Sequence, residues 1–317
     1  MSEVVVGIDI GGTFTKYGII DKKGNCLFEH SISTTFCEGA DEFVKGFSMA
    51  LKADLEKHKE VTLVGIGIGA PNGNYYKGTI EFAANLKWKG IVPLVDLFKK
   101  YFDVPVFLTN DANAAAIGEM IFGGAKGMND FIEITLGTGL GSGIVSNGKL
   151  IYGHDGFAGE IGHTIVRHNG RQCGCGRRGC LETYVSATGI KRSVYKLLAD
   201  SLEPSELRGV SFNDLSADMI TKAAKEGDKI ALEAFEYTGS LLGQKLADSV
   251  AHTSPEAIFL FGGLAKAENL ILEPTRKHLE ANLLHIYKNK VKVLLSELKE
   301  VNAAVLGAAA LAWKEIG

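Results

Sequence analysis

A chain of 317 residues, 46% hydrophobic and 22% charged, exceeds what one hydrophobic core usually organises and implies two lobes of about 100–200 residues with a cleft between them. A net charge of −3 argues against nucleic acid as a main partner, the apolar runs fall short of the roughly 18 residues of a membrane span, and no basic-then-apolar leader precedes Val4. Five cysteines are too few for a disulfide scaffold in a chain this long, so a cytoplasmic globular enzyme in a reducing compartment is expected.

The chain opens with a buried strand, Val4 to Ile10, that runs into Gly11, Gly12 and Thr13 and returns as a second strand, Lys16 to Ile20, before a turn at Lys22–Asn25. Walker and dinucleotide loops open a helix after their glycines, whereas this chain folds back as a hairpin, and G-x-x-x-x-G-K-[ST] is absent. Such a hairpin is either a plain β-turn or a phosphate cradle. In the cradle, backbone N–H groups approach the oxygens, Thr13 and Lys16 add a hydroxyl and a charge, and Asp9 suits a magnesium ion held through water.

A helix over roughly Asp41 to His58, a strand Thr62 to Ile68, the turn Gly69-Ala70-Pro71-Asn72-Gly73, a strand Val104 to Leu108 and a small-residue helix through Phe122 follow. Strands alternating with helices imply an α/β core with much parallel pairing. Asn110 and Asp111 then stand at the carboxyl end of a strand, the rim where open α/β sheets hold ligands. Asp111 reads as a helix N-cap, with the helix dipole lowering its pKa, and equally as the carboxylate that orients a hydroxyl in phosphoryl transfer.

Phe131 to Val145 repeats the first design: an apolar strand, Gly137-Thr138-Gly139, and a returning strand that ends at Asn147-Gly148. Ile134-Thr135-Leu136-Gly137 falls on Ile8-Asp9-Ile10-Gly11, and Gly143-Ile144-Val145 on Gly18-Ile19-Ile20 with a gap of one residue. The chain reads as duplicated, and two hairpins facing each other would clamp a triphosphate. A third glycine element, Gly262-Gly263 after the strand Ile258 to Phe261, is a strand-to-helix turn on which a base or ribose could lie.

Between the second and third glycine elements, Ala158 to Glu182 gathers Glu160, His163, Cys173, Cys175, Cys180 and Glu182. One imidazole and three thiolates suit tetrahedral zinc with no open position, which makes it a structural rather than a catalytic metal. Cys26 and Cys37 are left over, and the remaining histidines carry no pattern. Helices are expected over Ser186–Leu198, Leu215–Lys225 and Lys229–Ala251. A closing helix, Val301 to Ile316, is rich in Ala and Gly and should return to the first lobe. The expected division is therefore a small α/β lobe of residues 1–115 plus 301–317, and a large α/β lobe of 116–300 carrying the zinc loop.

DIGGTFTK at Asp9–Lys16, NDANAAA at Asn110–Ala116, LGTGLGSG at Leu136–Gly143, GEIGH at Gly159–His163, CGCGRRGCLE at Cys173–Glu182 and FGG at Phe261–Gly263 together resemble the ROK family of sugar kinases and sugar-responsive repressors. The resemblance spans nearly the whole chain, and the cysteine segment with GEIGH is its most specific part. It implies an actin-like ATPase fold, transfer of the γ-phosphate of ATP to a sugar hydroxyl, and a homodimer. It also implies Asp111 as catalytic base, with Asn110, Glu160, His163 and Glu182 on the sugar hydroxyls and His163 on zinc as well. Asn85 resembles the sugar-loop asparagine, although Ala84 replaces the usual proline, and Asn72 stands where glycine is frequent.

A ring of sugar hydroxyls, each donor and acceptor, is well matched by carboxylates, an amide and an imidazole. The leading expectation is a hexose 6-kinase acting on glucose, closing on its sugar to exclude water. N-acetylmannosamine, N-acetylglucosamine, fructose and allose are the alternative substrates. A transcriptional repressor would need a helix-turn-helix ahead of the first lobe, where three residues precede Val4. A zinc hydrolase lacks H-E-x-x-H and an open zinc position.

Overall fold

The computed structural model describes residues 1–298 and 303–317. It divides into a first unit of Met1–Met128, Leu150–Ala158 and Glu297–Gly317, and a second of Asn129–Lys149 and Gly159–Ser296. The division expected after residue 115 falls inside the helix Asp111–Phe122, all of which belongs to the first unit. The expected start of the closing helix at Val301 lies outside the described residues.

In the first unit β1 (Ser2–Ile10), β2 (Phe14–Asp21) and β3 (Cys26–Ser33) form an antiparallel meander. Helix α1 (Ala40–Lys57) then leads to β4 (Val61–Gly69), which runs parallel to β1. Where the sequence suggested only a turn after Gly69, three short strands make a small sheet: β5 (Gly73–Asn74), β6 (Thr79–Glu81) and β7 (Ile91–Val92). Helix α2 (Leu94–Lys99), β8 (Val106–Thr109) and α3 (Asp111–Phe122) follow. Alternation along β1 decides what each sheet face carries. Val4, Val6, Ile8 and Ile10 share a core with Phe43, Val44, Phe47 and Leu51 of α1, and each such burial contributes about 1.5–3 kcal/mol.

The second unit contains β9 (Phe131–Leu136), β10 (Leu140–Ser146) and β11 (Lys149–Leu150). Short 3-10 turns at Ile161–His163 and Leu181–Thr183 flank the cysteine loop. Then come α4 (Ala187–Asp200), α5 (Ala217–Lys225), α6 (Lys229–Thr253), β12 (Ala257–Phe261), α7 (Asn269–Asn282) and β13 (Lys292–Leu295). Ser186, Ser216 and Asp228 set the starts of α4, α5 and α6 by accepting a hydrogen bond from the backbone N–H three residues on. A 3-10 turn, Gly263–Ala267, separates Gly262 from α7, so the third glycine element meets its helix less directly than the sequence suggested. Finally α8 (Ala303–Ile316) lies on the other face of the first sheet, with Val305, Ala309, Ala312 and Trp313 against Val5 and Ile20. A Cβ on Gly67 of β4 would stand 1.8 Å from the carbonyl oxygen of Ala308, so only a bare backbone lets α8 sit that close.

Among the described residues the two large sheets have one topology: β3-β2-β1-β4-β8 and β11-β10-β9-β12-β13. The match extends to single residues. Gly7 faces Gly18 across the first hairpin and Glu133 faces Gly143 across the second. In the parallel direction Asp9 faces Gly69 and Thr135 faces Phe261. This is the correspondence that the sequence alignment of the two hairpins requires, including its one-residue gap in the loop. Among the described residues no helix is long and apolar enough to cross a membrane.

Candidate active site

In the first unit the glycine turn, the Asn85 loop and the Asn110–Asp111 corner are joined through backbone contacts. Gly11 N–H donates to the Phe14 carbonyl at 3.0 Å and closes the turn. A Cβ on Gly12 would stand 2.6 Å from the Asn85 carbonyl oxygen, so glycine here is what admits the Asn85 loop. The side chains of Thr13, Lys16 and Asn85 are exposed. Asp9 lies in register between Lys16 on β2 and Gly69 on β4, and a Cβ on Gly69 would be 3.8 Å from the Asp111 Cα. Desolvation first, and then the Asp111 charge, push the Asp9 carboxyl up to about 6, against the pull of Lys16.

Asp111 is not the helix cap. Asn110 takes that role, its Oδ1 accepting from Asn113 N–H at 2.7 Å, while Asp111 is the first helical residue and its Oδ1 accepts from Ala112 N–H at 2.9 Å. The expected lowering of its pKa by the helix is also corrected. Water reaches the Asp111 side chain, yet enough protein surrounds it that desolvation raises its carboxyl above the ordinary range, outweighing the hydrogen bonds from its own helix start.

The second unit holds the other set. Gly137 N–H donates to the Gly139 carbonyl at 3.0 Å, and Thr138 at the tip is exposed. A Cβ on Gly137 or Gly263 would meet nothing within 4 Å, so both backbones present an open face. Gly262 has φ +99, with its Cβ position 2.8 Å from the Leu136 carbonyl oxygen, which joins the third glycine element to the end of β9.

The cysteine loop folds its four donors together: one ligand atom each from His163, Cys173, Cys175 and Cys180 lie within 4.8 Å of one another. Cys175 and Cys180 sulfurs are 3.6 Å apart, and Cys173 Sγ is 3.7 Å from His163 Nδ1. A zinc tetrahedron with Zn–S of about 2.3 Å and Zn–N of about 2.0 Å has edges of about 3.6–3.8 Å, so the donor set fits this metal. Desolvation works against ionisation of Cys175, but hydrogen bonds from the backbone and guanidinium of Arg177 and from the neighbouring thiols hold it down to about 6. His163 points its Nε2 toward Glu160 at 3.9 Å, so its two ring nitrogens face different partners.

Glu182 sits at the other end of this loop. Its Oε2 accepts from Leu140 N–H at 3.0 Å, and its Oε1 is 3.7 Å from Cys173 Sγ. Two supports carried no sequence motif. Ser142 on β10 donates to the Gly159 carbonyl and accepts from Ile161 N–H, which fixes the backbone on both sides of Glu160. The guanidinium of Arg171 donates to the carbonyls of Thr183 and Gly189 and to Ser193 Oγ, 4.3 Å over the Tyr184 ring, holding the loop to α4. Thus Asp9, Gly12, Asn85, Asn110 and Asp111 are neighbours in one unit, and Gly139, Gly262, Glu160, His163 and Glu182 belong to a connected set in the other.

Residues 5–315 match the model of the ROK family. A glucokinase of Halalkalibacterium halodurans is 36% identical over 88% of this chain and 86% of its own length. A xylose repressor of Caldicellulosiruptor bescii is 30% identical over 97% of this chain but 77% of its own. The crystal structure of a ROK family glucokinase from Streptomyces griseus, in complex with glucose and AMPPNP, superposes with a TM-score of 0.83 at 33% identity, covering 98% of this chain and 99% of that one.

Proposed function

Because this chain belongs to the ROK family, we propose that it is an ATP-dependent hexose kinase that phosphorylates the 6-hydroxyl of glucose. The observation that carries this reading is the pair Asp9, near the end of β1, and Asp111, the first residue of α3 just beyond β8, which meet at Gly69: Asp9 faces it across the sheet, and a Cβ on Gly69 would be 3.8 Å from the Asp111 Cα. Phosphoryl transfer needs a base for the hydroxyl and a carboxylate for the nucleotide's cation, whereas sugar sensing needs neither. The glucokinase relatives, and the glucose and AMPPNP held by the Streptomyces griseus enzyme, support the same substrates.

Asp111 orients the 6-hydroxyl and accepts its proton as the new O–P bond forms and the bond to ADP breaks. A transition state of metaphosphate character lets that proton leave late, so a carboxylate suffices as base. Asn85, Asn110, Glu160, His163 and Glu182 hold the remaining hydroxyls with hydrogen bonds that a deoxy sugar would leave unpaired. Gly11, Gly12, Thr13 and Lys16, with Gly137, Thr138 and Gly139, bind the phosphates through N–H groups, hydroxyls and one ammonium. Gly262 and Gly263 offer bare backbone to the adenosine.

Asp9 would hold Mg2+ through water, and that ion would neutralise charge on the phosphates. His163, Cys173, Cys175 and Cys180 would hold a structural Zn2+. The reading includes a cytoplasmic homodimer, which sedimentation analysis would check. In a coupled ADP-release assay glucose should give the highest kcat/KM among glucose, fructose, allose, N-acetylmannosamine and N-acetylglucosamine. A higher value with another sugar would reassign the substrate, and no ADP release with any of them would end the kinase reading.

A further inference from the structure

The segment that leaves the cysteine loop is also the platform of the second glycine hairpin, and it grips that hairpin at both ends. On one side Glu182, two residues past the metal donor Cys180, accepts from Leu140 N–H at 3.0 Å, where β10 begins. On the other side Ala187 N–H donates to the Gly137 carbonyl at 2.9 Å, where β9 has ended. Between these two contacts Ser186 ties the segment together, its Oγ donating to the Glu182 carbonyl at 2.8 Å and accepting from Gly189 N–H at 2.9 Å as the cap of α4. The Glu182 carboxylate also fills the space beside the loop, since a Cβ on Gly139 would stand 2.3 Å from its Oε2. The opposite oxygen of the same carboxylate is 3.7 Å from the metal donor Cys173.

We infer that filling of the His163, Cys173, Cys175 and Cys180 set by zinc fixes the Gly137–Leu140 hairpin as well as the sugar residues, so that metal occupancy sets nucleotide affinity even without sugar. Arg171 and backbone bonds such as Leu181 N–H to the Thr164 carbonyl hold the course of the loop, but an ion is what draws the four donors together beside Glu182, and without it Cys180 and the anchor two residues on lose that brace. Ser186 is accordingly a positioning residue for the nucleotide. This inference rests on the reading of Gly137–Gly139 as a phosphate cradle, and the experiment separates the two.

Binding of Mg·ADP is measured by calorimetry without sugar, for the zinc-loaded protein, for protein stripped of zinc and returned to magnesium buffer, and for Cys175→Ser and Ser186→Ala. Metal content and far-ultraviolet dichroism are recorded for each. Stripping and Cys175→Ser should weaken Mg·ADP at least tenfold with the helical signal retained, and zinc should restore the stripped protein but not the variant. Ser186→Ala should keep its zinc and lose about 3- to 10-fold in Mg·ADP affinity. Gly137→Val, whose side chain has room, should block the cradle in the zinc-loaded protein. If Gly137→Val binds Mg·ADP as the parent does, the cradle reading falls. If Gly137→Val weakens binding while stripped protein and Ser186→Ala bind normally, or if metal loss weakens glucose alone, the inference is overturned.

Discussion

Asp111 opens α3, and its Oδ1 accepts from Ala112 N–H at 2.9 Å. An aspartate before a helix suggests a cap with a lowered pKa, yet the neighbouring Asn110 caps α3, and desolvation leaves Asp111 with a raised pKa. A carboxyl that holds its proton more firmly is a better base for a sugar hydroxyl. Asp111→Asn should therefore bind glucose within a few-fold of the parent and lose about three orders of magnitude or more in kcat, measured by ADP release; undiminished turnover would remove it as the base. Asp9 gives a stability test. Its folded-state value of about 6 lies above the ordinary 3.8, so the folded chain binds this proton more tightly than the unfolded one. The resulting penalty is absent below about pH 4, grows as pH rises and is complete above about pH 6. Asp9→Asn should thus raise the metal-free protein's stability at pH 7 by about 1–3 kcal/mol and change it little near pH 4, as denaturant unfolding at the two values would reveal. Because the Asp111 charge contributes to that shift, Asp111→Asn should make the penalty smaller and complete it at a lower pH, leaving its onset near pH 4.

At the scale of elements, small residues decide which helix can reach which sheet. The Ala-rich run of α8 is legible as a helix that approaches something closely, but its partner is visible only in the fold: Gly67 of β4 lies beneath the Ala308 carbonyl, where a methyl group has no room. Gly67→Ala should destabilise the protein by about 1–3 kcal/mol, as overpacked core positions do, read from chemical denaturation. A change below about 0.5 kcal/mol would mean that α8 yields without cost. The same limit explains why β5 to β7 escaped sequence reading. Their pairing spans two- or three-residue strands, too short for a period of two to register, and what holds the small sheet together is side-chain bonding that has no periodicity, with Asn74, Lys77 and Thr79 all donating to Glu81.

For the whole molecule, the informative fact is that one strand order occurs twice, in register to the residue. Duplication supplies two glycine hairpins from one design, and divergence gives them different neighbours: the first abuts the Asn85 loop, the second the metal loop. ROK relatives include repressors as well as kinases, and the net charge of this chain supports a testable expectation about DNA. With a net charge of −3 it lacks the excess of cations that counterion release rewards. Fluorescence anisotropy with random duplex DNA at physiological salt should show no binding at micromolar protein, and salt-sensitive binding there would revive the regulatory reading.

The strands of the two glycine hairpins, the duplication and the metal-loop spacing were legible along the chain, because each depends on residues close in sequence: apolar period, turn glycines, ligands within about twenty positions. Tertiary structure alone decided the pKa of Asp9 and Asp111, the partner of α8 and the grip of Glu182 and Ala187 on the second hairpin. Those properties arise from atoms brought together across long stretches of chain, through desolvation, close backbone approach and hydrogen bonds, and no local pattern encodes them.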